Sequence, residues 1–261
     1  SSITQTLSNA IRLGRIGHAF IFSGSRGIGK TTTARILAKA LNCEQGPTAE
    51  PCNVCRHCTE ITSGIAMDVV EIDGASNRGI DEIRELRENV KYSPATTRFK
   101  VIIIDEVHML TREAFNALLK TLEEPPEHAK FILATTEAHK VPVTILSRCQ
   151  RYDFRRIDPA TLAGFLREIC DKESIKVQDA TLDVLARMAD GGVRDSLSLL
   201  DQVISFSGQE IDHEQTMALL GRIDPELLFD VFRSIAAGTG TQALIRFGEY
   251  IDSGGEEGVL N

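Results

Sequence analysis

The feature that most constrains this chain is the run Gly24-Ser25-Arg26-Gly27-Ile28-Gly29-Lys30-Thr31, which follows the apolar stretch AFIF and precedes TTTARILAKAL. It has the pattern G-x-x-x-x-G-K-[ST], and its flanks suit a strand that enters a helix through a glycine-rich turn. Glycines let backbone N–H groups wrap around an anion, and the N-terminus of the helix adds positive potential. In that arrangement Lys30 reaches the β and γ oxygens of a triphosphate, and the hydroxyl of Thr31 ligates Mg²⁺. Gly24 through Thr31, with Thr32 next in the first turn, are therefore expected to bind ATP. A plain glycine-rich turn is the alternative, and a strand before it with a helix after it argues against that.

Such a loop works with an acid at the end of a neighbouring strand, and Val101-Ile102-Ile103-Ile104-Asp105-Glu106 supplies one. Asp105 is expected to hold the metal. Glu106 is expected to polarise the water that attacks the γ-phosphate, a task suited to a carboxylate beside a bound cation. A lysine with two acids also occurs in kinases, but Glu106 directly after Asp105 leans toward water as the acceptor. The bland alternative is that both acids merely end a buried strand, with Thr111 to Glu113 capping the next helix.

Five apolar, β-rich runs punctuate the first 155 residues: 19–22, 69–72, 101–104, 131–134 and 152–154. Helical stripes separate them, such as Ala34, Leu37, Ala38, Leu41 and Phe115, Leu118, Leu119, Leu122. Strands alternating with helices predict an α/β fold with a parallel, doubly wound sheet. The runs VIII and FILA lack polar alternation, as strands covered on both faces do. After Pro159 only helices are expected, with Leu182, Leu185, Ala186, Ala189 on one stripe and Val193, Leu197, Leu200, Ile204 on the next, broken by Gly191 and Gly192. A further amphipathic stretch starts near Arg222. A chain of 261 residues exceeds one comfortable core, so the expected divisions are 1–158, 159–221 and the start of a third unit at 222–261.

A net charge of −8 argues against a general binder of nucleic-acid backbones, whose affinity comes from a strongly basic face. No apolar run approaches the roughly 18 residues of a membrane span, and the first residues lack a signal-peptide core, so no membrane and a cytoplasmic location are expected. In that reducing setting the spacing Cys43-x8-Cys52-x2-Cys55-x2-Cys58 points to metal rather than disulfides, while Cys149 and Cys170 have no close partner in sequence. Four thiolates make a closed tetrahedral Zn²⁺ site of structural type; an iron–sulfur cluster or free buried cysteines are the alternatives, and His57 is a nearby rival ligand. The intervening EQGPTAEP has few apolar residues, so metal binding would supply its folding energy. Glu44, Glu50 and Glu60 disfavour DNA as a target of this module and leave a protein partner or a plain scaffold.

The phosphate loop, the four-cysteine insertion, VIIIDEVHML, NALLKTLEEPP, LATTE, LSRCQRYDF and GGVRDSLSLLDQ together resemble the γ/τ family of bacterial DNA polymerase III, the AAA+ ATPases of the sliding-clamp loader. The resemblance covers nearly the whole chain. It implies a P-loop AAA+ domain with a parallel five-stranded sheet and a zinc module at about 43–60, then a small helical lid, then the truncated start of a helical collar. It implies ATP binding and hydrolysis that load the clamp onto primed DNA; a nucleotide-gated scaffold with negligible hydrolysis is the alternative. The implied partners are the δ and δ′ subunits, further γ/τ copies, the clamp and primer–template DNA. Nothing in the chain supplies a nucleotidyl-transfer site, so the polymerase activity belongs to the holoenzyme.

The same resemblance carries three roles to this sequence. Arg148, by itself one basic residue before a strand, becomes an arginine finger acting on the ATP of an adjacent subunit. Thr136 becomes the sensor 1 residue that reads the γ-phosphate, with Thr135 its rival, and Arg194 becomes the sensor 2 arginine. Ser76, Asn77 and Arg78 are candidates for DNA contact; a solvated loop before a helix that Asp81 caps is the competing reading. The family's adenine-contacting segment would precede Ser1 and most of its collar would follow Asn261, so base recognition and pentamer assembly by this chain are expected to be incomplete.

Overall fold

The computed structural model describes residues 2–220 and 232–252. The stretch expected to open a third unit at Arg222 lies outside the described residues as far as residue 231, and again from residue 253. The chain divides into two compact units, Ser1–Arg156 and Ile157–Asn261.

In the first unit, β1 (Ala19–Ser23), β2 (Val69–Asp73), β3 (Lys100–Asp105), β4 (Ala129–Thr135) and β5 (Gln150–Asp153) form one sheet in the order β2-β3-β4-β1-β5. All pairs are parallel. Consecutive β3 residues point to opposite faces. Ile102 and Ile104 pack with Ile83, Leu86, Phe115 and Leu118, from α4 (Ile80–Val90) and α5 (Arg112–Glu123). Val101 and Ile103 pack with Leu7, Leu37, Leu41 and Ile61, from α1 (Ser2–Arg12), α2 (Lys30–Asn42) and α3 (Arg56–Ser63). Two apolar layers explain why VIII carries no polar alternation. β5 begins at Gln150, two residues before the expected run, and stops short of Phe154.

Register decides where chemistry can sit. Ser23 pairs with Thr135 and Asp153, and Asp73 with Asp105, so the carboxyl ends of the strands open on one edge, where ligands bind in open parallel sheets. Past β3, Thr111 caps α5 by accepting from the Ala114 N–H at 3.2 Å. The short α6 (Val143–Leu146) leads into β5. Asp81 does not cap α4: Gly79 holds the cap position without a side-chain bond, and Asp81 instead pairs with Arg84 at 3.2 Å one turn on.

The second unit contains α7 (Pro159–Lys172), α8 (Asp179–Met188), α9 (Val193–Ser207) and α10 (His213–Leu219), with α11 (Gly240–Asp252) further along the chain. Asp158 caps α7 by accepting from the Thr161 N–H, and Pro159 takes the first turn. Leu162, Leu166, Leu182, Leu185, Leu200 and Val203 close the core. Two expectations are corrected here. The unit is not purely helical, since β6 (Lys176–Val177) and β7 (Glu210–Ile211) pair in parallel; two-residue strands are too short to leave a period in sequence. Leu197, placed on the buried stripe of α9, is 36% exposed, and Val203 is buried in its place.

Candidate active site

The glycine-rich loop needs its glycines. At Gly24 φ is 146° and a Cβ would lie 2.5 Å from the Phe154 carbonyl oxygen; Gly29, at φ 92°, takes the left-handed conformation that starts α2. No side chain caps α2, so its first N–H groups and dipole remain for an anion in the loop. Lys30 is only 6% exposed, and its Nζ donates to the carbonyls of Gly24 and Ser25, both at 2.8 Å. Burial pulls its pKa down, while the nearby charges of Glu106 and Asp105 push the other way. A cation bonded to two backbone carbonyls is ready to take a stronger acceptor.

Asp105 ends β3 with both oxygens engaged: Oδ2 accepts from the Thr31 hydroxyl at 2.5 Å and Oδ1 from the Glu106 N–H at 2.8 Å. Hydroxyl and carboxylate thus converge from two elements, the donor set that a phosphate-bound Mg²⁺ takes. Glu106 sits at φ 44°, a left-handed conformation uncommon outside glycine and frequent at functional sites. Its Oε2 accepts from Thr136 twice, from the hydroxyl at 2.9 Å and the N–H at 3.3 Å. Gly74 packs on the same backbone: its N–H donates to the Asp105 carbonyl at 2.8 Å, and a Cβ there would stand 2.8 Å from the Glu106 carbonyl oxygen.

His108 is the residue that sequence reasoning missed. Its side chain is 8% exposed, with Nδ1 3.3 Å from Glu106 Oε2 and 3.0 Å from the Thr135 hydroxyl. Nε2 lies 3.8 Å from Glu137, whose carboxyl the bonded Lys140 ammonium holds below the usual range. The only sequence signal was a histidine two residues after the acids, and no period or spacing marks such a contact.

The rivals Thr135 and Thr136 part company here. Thr135 is fully buried, and its hydroxyl faces His108 and accepts from the Glu137 N–H at 3.0 Å. Thr136 faces Glu106. Arg148 lies elsewhere on this unit, with Nη2 donating to Glu123 at 2.8 Å and Nη1 to the Thr144 carbonyl at 2.8 Å and the Ser147 hydroxyl at 3.3 Å. It bonds to no residue of its own glycine-rich loop. Arg26 is exposed on the loop, Thr32 is exposed in the first turn of α2, and Arg194 is exposed as the second residue of α9, in the other unit. Ser76 and Asn77 bond to Asp73 within their own loop, and Arg78 donates from Nε to the Met109 carbonyl at 3.2 Å, which ties that loop to the turn after β3.

The sulfurs of Cys43, Cys52, Cys55 and Cys58 lie within 4.8 Å of one another. One ion with Zn–S bonds of about 2.3 Å can bridge such a set. Cys43 ends α2, and the sulfur of Cys55 caps α3 by accepting from the Cys58 N–H. Burial pushes the Cys58 thiol up to about 12. At Cys43 burial pushes the same way, but hydrogen bonds from the backbone of Cys52 and Gln45 and from the side chains of Cys52 and Cys58 together outweigh it and hold that thiol low. His57 stands outside this set, with Nδ1 buried and unbonded. The cluster is tied to the sheet, because Asn42 exchanges two 2.9 Å bonds with Phe99 just before β3, and Arg98 donates to the Cys43 carbonyl at 2.7 Å.

Comparison with known proteins places this geometry. A family described as DNA polymerase III, delta subunit, matches residues 1–158, and one described as DNA polymerase III clamp loader subunit, ATPase lid domain, matches residues 161–209. The DNA polymerase III subunit tau of Bacillus subtilis is 50% identical over 258 residues, which is 99% of this chain and 46% of that protein. The subunit tau of Escherichia coli is 47% identical over 247 residues, 95% of this chain and 38% of that protein. The chain thus spans less than half the length of these relatives. Among solved structures, the RuvB Holliday junction branch migration motor of Thermotoga maritima superposes with a TM-score of 0.60 at 17% identity, covering 90% of this chain and 75% of that one, a likeness of fold.

Proposed function

This chain belongs to the DNA polymerase III clamp-loader family of γ and τ subunits, built on the AAA+ P-loop fold, and from that premise we propose that it is an ATP-hydrolysing motor unit of a sliding-clamp loader. The observation that carries the reading is the meeting of Thr31 and Asp105 at 2.5 Å beside the enclosed Lys30. Its partners would be δ, δ′ and further γ/τ subunits, the clamp and primer–template DNA. No described helix is long and apolar enough to cross a membrane.

In this reading the loop from Gly24 to Thr31 wraps the phosphates and Lys30 exchanges its carbonyl partners for β and γ oxygens. Thr31 and Asp105 would hold a Mg²⁺ ion, whose charge would offset that of the phosphates when bound. Glu106 accepts a proton from water as its oxygen bonds to phosphorus and the bond to the β-phosphate breaks, leaving ADP and phosphate. Thr136 reads the γ-phosphate, Arg194 brings nucleotide occupancy to the lid, and Arg148 reaches the ATP of a neighbouring subunit. Calorimetry with Mg·ATP tests the foundation: the wild-type chain should give a binding isotherm and Lys30→Ala none. Steady-state phosphate release, alone and then with partner subunits, clamp and primed DNA, separates a motor from a nucleotide-gated scaffold, which would release almost none in either case.

The four cysteines would hold one structural Zn²⁺ that fastens residues 43–58 to the end of the phosphate-loop helix. Metal analysis should find about one zinc per chain, and Cys58→Ser should lose it and lower the melting temperature by several degrees. Because burial keeps the Cys58 thiol protonated without a metal, binding must release protons. Apparent zinc affinity should therefore rise with pH, and a pH-independent affinity would remove the thiolate assignment.

A further inference from the structure

His108 is a buried titratable side chain that the mechanism above leaves without a task. It lies in the turn Val107–Met109 directly after Glu106, where the Met109 N–H donates to the Glu106 carbonyl at 2.9 Å. That turn brings the ring against the end of β4, with Nδ1 3.0 Å from the Thr135 hydroxyl. A carboxylate stands at each ring nitrogen: Glu106 Oε2 is 3.3 Å from Nδ1 and Glu137 Oε2 is 3.8 Å from Nε2. Both protonation states of the ring therefore have partners in place. The Thr135 hydroxyl can donate to Nδ1 of the neutral ring, and the two carboxylates face the charged one. We propose that His108 is the proton reservoir of the hydrolysis site: it takes from Glu106 the proton that Glu106 has taken from water, holds it as an imidazolium until it returns to solvent, and so leaves Glu106 ready for the next turnover. This inference rests on the reading of Glu106 as the base.

The protons balance at each step. Water loses a proton to Glu106 as its oxygen bonds to phosphorus, and Glu106 becomes a neutral acid whose Oε2 faces Nδ1. The O–H bond of that acid then breaks as an N–H bond forms at Nδ1, which leaves Glu106 negative and the ring positive. The ring gives a proton up to water and is neutral again. Imidazole is a stronger base than a carboxylate, so the transfer to the ring runs downhill. The surroundings favour the same direction, because the buried ring gains its charge between two groups of opposite sign. Glu137 keeps its negative charge throughout, since the bonded Lys140 ammonium holds its carboxyl below the usual range. The Glu137 N–H donates to the Thr135 hydroxyl at 3.0 Å, so the outer carboxylate and the hydroxyl are fixed to one another beside the ring. Direct loss of the proton from Glu106 to water is the competing route, because that side chain is 30% exposed. The two routes differ in what a substitution at His108 does.

A reservoir acts after the bond to the β-phosphate has broken, so its loss slows continuous turnover more than the first turnover, whereas loss of a residue that only braces Glu106 slows both alike. The test is made in a loader reconstituted with partner subunits, clamp and primed DNA. Single-turnover hydrolysis, with the loader in excess over Mg·ATP, is compared with steady-state phosphate release for wild type, His108→Gln and His108→Ala. Glutamine can still hydrogen-bond to Glu106 and Thr135 but cannot hold a proton. His108→Gln should slow steady-state release about tenfold and the first turnover by about threefold at most. Imidazole added to His108→Ala, where the ring has been removed, should return about half or more of the lost steady-state rate, and it should leave His108→Gln unchanged. Calorimetry with Mg·ADP shows whether the alanine chain keeps its site; if it binds none, the glutamine variant decides alone. A steady-state loss that exceeds the first-turnover loss by about threefold or more, with rescue by imidazole, supports the reservoir. Any smaller difference, or no rescue in an alanine chain that binds nucleotide, overturns it. If Glu106→Gln hydrolyses at the wild-type rate, the base assignment falls and the reservoir with it. If Glu106→Gln is slow while His108→Gln turns over like wild type, this inference alone is lost.

Discussion

Replacing Arg148 by alanine should leave Mg·ATP binding to the isolated chain unchanged and lower DNA-stimulated hydrolysis in a reconstituted loader by about 10³-fold or more, the range found for arginines that act on a transferring phosphoryl group. The geometry gives the reason. Arg148 makes three hydrogen bonds, to Glu123, the Thr144 carbonyl and Ser147, and none to its own phosphate loop. A guanidinium has five N–H donors in a rigid fork, so two remain for an acceptor outside this subunit while the other bonds hold its direction. A phosphoryl group gathering charge between water and ADP is such an acceptor, and alanine would leave that charge uncompensated. The trans character has its own measurement: in loaders mixed from Arg148→Ala and Lys30→Ala subunits, activity should return only where an intact Arg148 faces an intact phosphate loop. Hydrolysis that survives Arg148→Ala at the wild-type rate would end the finger assignment.

The second large effect is expected at Glu106. Glu106→Gln keeps the shape of the side chain and removes its capacity to take a proton, which should cost about 10²- to 10⁴-fold in hydrolysis. Nucleotide affinity should be retained or tightened, because the phosphates approach one negative charge fewer. Single-turnover hydrolysis at saturating Mg·ATP isolates the chemical step from product release. Equal rates for the two chains would mean that Glu106 is not the base and that Asp105 and Lys30 act with water from solvent. His108 should matter here as well, since its imidazole lies against the same carboxylate oxygen.

What could be read in the residues follows from the range over which each interaction acts. The glycine-rich loop was legible because its requirements are local: positive φ at Gly24 and Gly29, a lysine close behind, a helix starting at once. The five strands of the main sheet were legible because doubly covered strands are apolar at every position, as at Val101 to Ile104. The cysteine cluster was legible because three of its four members lie within seven residues, from Cys52 to Cys58. Less local features were lost. The two-residue pair β6 and β7 leaves no periodic trace. Leu197 shares the spacing of its buried neighbours, yet the faces that α7 and α8 present to α9 leave it 36% exposed.

By itself the sequence determined the chemistry on offer: a loop that suits phosphate, a carboxylate pair at a strand end, four thiols at metal spacing. Each of these is written within a few residues, where backbone conformation and side-chain reach are settled by near neighbours. Only the tertiary structure decided which groups meet across the sheet. Thr31 with Asp105, Glu106 with Thr136, and His108 against both Glu106 and Thr135 depend on the parallel register that aligns the ends of β1, β3 and β4. Register is a sum of many buried contacts over the whole domain, and a shift of one residue would turn the strand residues among them, Asp105 and Thr135, to the opposite face.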